Sequence, residues 1–191
     1  MTHVPHRRAA LATPPICWVV ALVMLAPGPG AAEPSDGQSG FDFIIGTWKI
    51  KNHVLRTQPD GTEIWYEFDS TSTNRAIWDG KANIEEWDGV GPSGRIQGVA
   101  VRLYDPAAHQ WSVYWGDRRQ GILGIPPVVG RFHDGRGELY SDGTYAGKKS
   151  RDRVVWSRIT QRSCRWEQAM SLDGGKTWKT NWIMDFTRTA P

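Results

Sequence analysis

Apolar and polar residues alternate along the chain from Thr47 onwards. In the first segment Trp48 and Ile50 share one face and Lys49 and Lys51 share the other, which is the period of two found in β-strands. One face of such a strand typically packs against a core while the other meets solvent. The pattern therefore predicts a β-strand at the start of the folded region.

Similar segments follow, separated by turn signals about every ten residues, such as Pro59-Asp60-Gly61 and Asp79-Gly80. No interval carries the caps and the 3.6-residue stripe of a long helix. About 8–10 short strands joined in this way predict an all-β fold, either a sandwich or a barrel. We favour a single antiparallel β-barrel, because closure removes the exposed edges of the sheet.

The stretch from Gly116 to Pro127 is the least strand-like part of the interior. It contains Arg118, Arg119, several glycines and the pair Pro126-Pro127. We interpret it as a long loop over one end of the barrel, where a lid would lie.

Residues 1–32 have the features of a secretory signal peptide. Arg7 and Arg8 give a positive start, and residues 16–26 form an apolar run too short to span a bilayer with margin. Small residues precede Glu33, where we expect cleavage. This predicts a periplasmic or secreted protein without a stable membrane span, and an uncleaved anchor is the alternative.

After this segment, residues 33–40 are rich in Pro, Ser and Gly and predict a flexible tether. The barrel domain is expected over 41–189. Removal of residues 1–32 takes away two arginines and no acid, which leaves 21 basic and 20 acidic residues. Since no basic stripe remains, we expect no nucleic-acid partner.

Tryptophan is unusually frequent, with 11 residues in the chain. Such a content indicates large aromatic packing or an aromatic-lined pocket. The expected mature chain keeps one cysteine, Cys164, so it forms no intramolecular disulfide. We interpret Cys164 as a passive thiol, because no histidine lies near it in sequence.

Several short motifs together resemble the bacterial lipocalin-like domains of unknown function, which are calycin-type barrels. The resemblance covers most of the expected mature chain and implies no activity, cofactor or catalytic residue. The matching segments are Phe41-Asp42-Phe43, Gly46-Thr47-Trp48, Glu67-Phe68, Leu103-Tyr104-Asp105-Pro106, the run 126–132, Trp166-Glu167-Gln168-Ala169 and the run 181–188.

The resemblance also implies how one end of the barrel is sealed. In lipocalins a glycine lets the chain bend into the first strand, and the tryptophan that follows is covered by an arginine from the last strand in a cation–π contact. Carried over to this chain, the structural barrel base consists of Gly46, Trp48 and Arg188.

Polar residues inside the alternating segments are the candidate site residues. Any that point inward line a polar cavity, where a buried charge must be paired or meet a ligand. The alternative for each of these residues is a position on the solvent-exposed outer face of the barrel. The predicted ligand-binding residues are Glu67, Asn83, Glu85, Arg102, Arg131, Glu167 and Asn181, with Trp115 as an aromatic wall; Asn52 and Gln168 have similar positions.

No metal or cofactor is predicted. The histidines are scattered without ligand-like spacing, and His133 is the single candidate for a haem contact. The segment Ser171–Trp178 matches an Asp-box, which we interpret as a structural hairpin device rather than as a sign of sialidase chemistry.

Three functions are consistent with these features. The leading hypothesis is a binding protein for a small, partly apolar ligand, with tryptophan walls and an anchor formed by Arg102 or Arg131 with Glu67 or Glu167. The second is an enzyme of the cyclase, isomerase or hydrolase type that uses Glu167 or Glu67 as its acid or base. The third is an envelope interaction module, which a large exposed aromatic patch would favour.

Overall fold

The computed structural model describes residues 37–189. The expected signal peptide over 1–32 lies outside these residues, as do residues 33–36 of the expected tether. Residues 38–40, also assigned to the tether, instead begin a 3₁₀ helix that spans Gln38–Ile44. Within the described residues, no helix is long and apolar enough to cross a membrane.

Ten antiparallel strands follow the helix and close into a barrel. Each strand pairs with the next along the chain, and β1 pairs with β10 to complete the wall. The all-β barrel predicted from the alternation is confirmed. The strands are β1 (Gly46–Thr57), β2 (Glu63–Ile77), β3 (Ala82–Gly91), β4 (Gly94–Asp105), β5 (Gln110–Asp117), β6 (Val128–His133), β7 (Arg136–Tyr145), β8 (Lys148–Ser157), β9 (Ser163–Ser171) and β10 (Lys179–Arg188).

The period of two decides which side chains fill the barrel. In β1, Trp48, Ile50 and Val54 are buried, whereas Lys49 and Lys51 are exposed. Burying one such apolar side chain contributes about 1.5–3 kcal/mol. A slip of one residue in strand pairing would turn the whole apolar set towards water, so this burial also fixes the register.

The 3₁₀ helix closes the end of the barrel at which β1 begins and β10 ends, hereafter the closed end. Phe41 and Ile44 of the helix are buried in the core. The indole Nε1 of Trp48 donates to the carbonyl of Ile44 at 2.6 Å, and that of Trp111 donates to the carbonyl of Gly37 at 3.0 Å. The helix is therefore held to the barrel by both packing and hydrogen bonds.

Arg188 fastens this helix to the first and last strands. Its Cζ lies 4.1 Å from the centroid of the Trp48 ring, and the two residues face each other in the β1–β10 register. Its guanidinium donates to the carbonyls of Phe43 and Ile45, and its Nε donates to that of Gln161 at 2.8 Å. This is the pairing that the lipocalin resemblance implies.

Gly46 allows this close approach. Its φ of +119° is a conformation that residues with side chains rarely adopt, and a Cβ there would lie 2.5 Å from Nη1 of Arg188. The glycine is thus required both by the bend into β1 and by the space that the guanidinium fills.

The opposite end, hereafter the open end, is bordered by hairpin turns and by the loop 118–127. The predicted loop began two residues earlier, but Gly116 and Asp117 complete β5. The backbone N–H of Gly124 donates to the carbonyl of Trp115 at 2.7 Å, so the loop folds back on the end of that strand.

The Asp-box segment lies in the hairpin between β9 and β10. The Asp173 Oδ1 accepts hydrogen bonds from the backbone N–H groups of Lys176 and Thr177, both at 3.0 Å, and from the hydroxyl of Ser171 at 2.7 Å. Together with a hydrogen bond from the Thr177 hydroxyl, these bonds hold the pKa of Asp173 below its usual value. They stabilise the turn, in keeping with a structural role.

Candidate functional site

A cavity of about 400 Å³ lies inside the barrel. Gln120, Ile125 and Pro126 of the loop 118–127 line it at the open end, while Glu85 and Arg102 line it towards the closed end. Most of the remaining surface is apolar. The aromatic residues that line the cavity are Trp87, Trp115, Trp156, Trp166, Trp182 and Phe186.

The tryptophan rings are held in place by one another and by a polar network. Trp182 packs edge to face against Trp87, with ring centroids 6.4 Å apart, and against Trp166 at 6.0 Å. Its Nε1 donates to Oδ1 of Asn52 at 3.1 Å, and Asn52 in turn donates to Oγ of Ser70 at 2.8 Å. Because the ring is fixed at its polar edge, the aromatic wall is preformed.

A buried polar group, hereafter the floor cluster, consists of Arg102, Glu85, Asn74 and Asn83. Nη1 of Arg102 donates to Oδ1 of Asn74 and to Oδ1 of Asn83, both at 2.9 Å, and Nη2 forms an ion pair with Glu85. The side chains of Arg102 and Glu85 are only 3% and 6% exposed. The floor of the cavity is therefore electrically neutral.

Strand register assembles the floor cluster. Asn83 lies opposite Arg102 in the β3–β4 pair, and Asn74 lies opposite Glu85 in the β2–β3 pair. These four inward-facing positions on three neighbouring strands meet because side chains on one face of adjacent strands are neighbours. The guanidinium lies over Phe41 of the 3₁₀ helix, with Cζ 5.1 Å from the ring centroid.

Asp152 on β8 also lines the cavity. Its strand partners are Ser141 and Met170, neither of which carries a charge. Within residues 37–189 no hydrogen bond or ion pair engages its carboxylate. Burial without a compensating cation raises the pKa of this carboxyl. Asp152 is absent from the residues predicted from the sequence.

Three of the predicted ligand-binding residues lie on the outer face of the barrel, away from the cavity. Glu67 is on the outer face of β2, where it pairs with Nδ1 of His53 at 3.2 Å. Arg131 is exposed on β6, and Glu167 lies outside on β9. The physical reason is the phase of the alternation: the neighbours of these residues take the inner positions, namely Phe68, Phe132, Trp166 and Gln168.

The other predicted residues have mixed placements. Glu85, Arg102 and Trp115 line the cavity, and Asn83 is buried beside it in the floor cluster. Asn181 lies where the pairing of β10 with β9 shifts, and its Oδ1 is buried without a hydrogen-bond partner among the described residues. It is not part of the cavity lining. The expected anchor was Arg102 or Arg131 paired with Glu67 or Glu167. The pair found at the cavity is Arg102 with Glu85.

No metal site is evident in the part of the chain from 37 to 189, where no three His, Cys, Asp or Glu side chains are grouped closely enough to hold an ion. His133, the candidate for a haem contact, is 87% exposed at the closed end and pairs with Asp134 at 3.0 Å. It lies outside the cavity, so the haem interpretation has no support from its position.

A second, more open depression of about 930 Å³ lies on the outer face of β2, β3 and β4 beside the loop 118–127. Two of its charged groups are engaged in surface contacts: Asp88 pairs with Arg95 at 2.6 Å, and Arg118 donates to Oε1 of Gln97 at 2.9 Å. It is lined by a solvated wall, which makes the interior cavity the stronger candidate site.

Cys164 is buried under the cavity, and burial raises the pKa of its thiol to about 12. Since the thiolate is the reactive form, iodoacetamide at about pH 8 is expected to label Cys164 at least ~100-fold more slowly in the folded protein than in urea. Mass spectrometry of the peptide that contains Cys164 measures both rates. Similar rates in the two conditions would contradict the burial of this thiol.

The barrel resembles solved structures of low sequence identity. It superposes on an S-type phycobiliprotein lyase from Guillardia theta with a TM-score of 0.52 and 14% identity, covering 81% of this chain and 93% of that chain. The fold is a lipocalin-like β-barrel. The chain also superposes on a de novo designed fluorescence-activating β-barrel with a TM-score of 0.42 and 11% identity, covering 79% of this chain and 98% of that one.

The sequence itself matches no protein-family model and no curated protein. The structural likeness therefore bears on the fold alone. Membership of the bacterial lipocalin-like family that the motifs resemble stays a prediction. The same holds for the use of the opening segments, Phe41-Asp42-Phe43 and Gly46-Thr47-Trp48, as marks of that family.

Proposed function

We propose that this protein binds a small, partly apolar molecule inside its barrel. The observation that carries this proposal is the aromatic-lined cavity of about 400 Å³. Small-molecule sites in proteins commonly have volumes of about 300–1,000 Å³ and mostly apolar walls with a few polar groups. A preformed wall also lowers the side-chain entropy that the protein must lose on binding.

The enzyme hypothesis in its original form is not retained. Glu67 and Glu167, the carboxylates proposed as acid or base, both lie on the outer wall and do not reach a molecule in the cavity. Glu85 does line the cavity, but it is engaged by Arg102. Binding therefore remains the function best supported by the arrangement of side chains.

We also propose that the barrel acts in the periplasm or outside the cell after loss of residues 1–32. The support is the positive start, the short apolar run and the small residues before Glu33. N-terminal sequencing of the protein recovered from the periplasm or medium tests this proposal. A protein that retains Met1 and stays with the membrane would contradict it.

Binding is tested with N-phenyl-1-naphthylamine, a neutral aromatic probe whose fluorescence rises in apolar surroundings. We expect saturable binding to the protein. The variant Ala100→Trp places a large ring in the cavity and is expected to weaken probe binding at least ~10-fold, because the ring takes the volume that the probe needs.

The matched control is Val99→Trp on the same strand. Val99 borders the outer depression rather than the cavity, so this variant is expected to bind the probe like the unaltered protein. Circular dichroism establishes that both variants fold. Equal binding by Ala100→Trp and the unaltered protein, or no binding to either, would contradict an interior binding site.

A further inference from the structure

Three charged side chains among the described residues line the cavity: Glu85, Arg102 and Asp152. Glu85 and Arg102 neutralise each other in the floor cluster. Asp152 has no such partner, so with this carboxylate ionised the cavity carries one uncompensated negative charge. From this imbalance we propose that the ligand is an organic cation, with an apolar, preferably aromatic body and a protonated nitrogen placed against Asp152.

The arginines next to Asp152 in sequence do not supply the missing charge. Arg151 and Arg153 alternate to the other face of β8, where Arg151 Cζ lies 4.9 Å from the Tyr140 ring centroid and Arg153 Cζ lies 4.5 Å from that of Trp178. Both guanidiniums thus lie over aromatic rings outside the cavity and form no hydrogen bond or ion pair with Asp152. The carboxylate is left to face the interior alone.

The surroundings of Asp152 favour a cation on two further grounds. A carboxylate that has lost part of its hydration attracts a nearby ammonium more strongly than one in water, since the local dielectric constant is lower. The tryptophan faces of the cavity also attract a cation through their ring quadrupoles. An apolar molecule with a protonated nitrogen satisfies both the carboxylate and the rings.

An anionic ligand is disfavoured by the same arrangement. The floor cluster holds the Nη1 of Arg102 with two amide oxygens and its Nη2 with Glu85. The buried Nε of Arg102 has no hydrogen-bond partner among the described residues, but an anion that also engaged Nη1 or Nη2 would compete with these contacts. It would also lie in the same cavity as Asp152.

This inference rests on the proposed binding function and is tested with three ligands that share one ring system. At about pH 8, 9-aminoacridine is a cation, acridine is neutral and acridine-9-carboxylate is an anion. We expect 9-aminoacridine to bind the protein at least ~10-fold more tightly than acridine, and acridine-9-carboxylate to bind most weakly. Fluorescence titration measures all three affinities.

The variant Asp152→Asn keeps the shape of the side chain and removes its charge. We expect it to bind 9-aminoacridine and acridine with affinities within about threefold of each other. The control is Asp142→Asn on β7, whose side chain is 88% exposed and pairs with Arg151 at 3.7 Å outside the cavity. It is expected to keep the full preference for the cation.

The outcomes separate this inference from the binding function. If the unaltered protein binds acridine as tightly as 9-aminoacridine, the interior site stands but the preference for a cation is wrong. A preference that survives in Asp152→Asn likewise overturns the role of this carboxylate. If none of the three ligands binds, the proposed function and the inference both fail.

Discussion

Replacement of Arg102 by methionine is expected to lower the free energy of unfolding by about 3–5 kcal/mol, the usual effect of removing one partner of a buried ion pair. The change leaves Glu85 buried without its cation, and it leaves the amide oxygens of Asn74 and Asn83 without their donor. Urea denaturation followed by tryptophan fluorescence measures the difference.

Two further variants show whether the loss comes from the unpaired charge. Replacing both Arg102 and Glu85 by methionine removes the buried charges together and is expected to be less destabilising than Arg102→Met alone. Arg95→Met breaks the exposed pair with Asp88 on the same two strands and is expected to cost less than about 1 kcal/mol. An Arg102→Met variant as stable as Arg95→Met would contradict the account of the floor cluster.

Replacement of Arg188 by methionine is expected to lower the free energy of unfolding by about 2–4 kcal/mol. Three backbone carbonyls, those of Phe43, Ile45 and Gln161, lose a charged donor, and Trp48 loses the cation over its ring. Hydrogen bonds to charged groups typically contribute about 1.5–3 kcal/mol each, although such losses do not add fully. Thermal and urea unfolding measure the effect.

Lysine at the same position tests the geometry of the contact. Arg188→Lys keeps the charge but loses the planar fork that reaches several carbonyls at once, so we expect a stability between those of the unaltered protein and Arg188→Met. Arg165→Met is the comparison, because its pair with Asp185 is partly exposed and its loss is expected to cost about 1 kcal/mol. If Arg188→Met cost no more than that, the guanidinium would not be what fastens the closed end.

The order and pairing of the strands could be predicted from the sequence because the signals for them are local. Tight turns and the alternation around Trp48 and Ile50 predict strands that pair with their neighbours. The closing pair of β1 and β10 is less local, yet the resemblance to lipocalins placed Arg188 over Trp48. The 3₁₀ helix from Gln38 was not predicted, since a helix of two turns shows too little periodicity to recognise.

It was harder to predict which of the two faces of each strand points into the barrel. Errors in this assignment explain which site residues were missed. In β8, Val154, Val155 and Trp156 are all buried, so the apolar residues alone do not fix the phase of the alternation. Asp152 also lies between two arginines in sequence, which made it resemble a residue of a solvated face. Its place inside the barrel depends on pairing with Ser141 and Met170, which the sequence does not reveal.

A barrel sealed at one end behaves as a cup rather than as a tube. The 3₁₀ helix and Arg188 close one end, whereas Ile125 and Pro126 line the cavity at the opposite end. A molecule that leaves the interior must therefore retrace the path by which it arrived. If a ligand binds as proposed, we expect the loop 118–127, which lines the cavity at the open end, to affect the rates of both entry and exit.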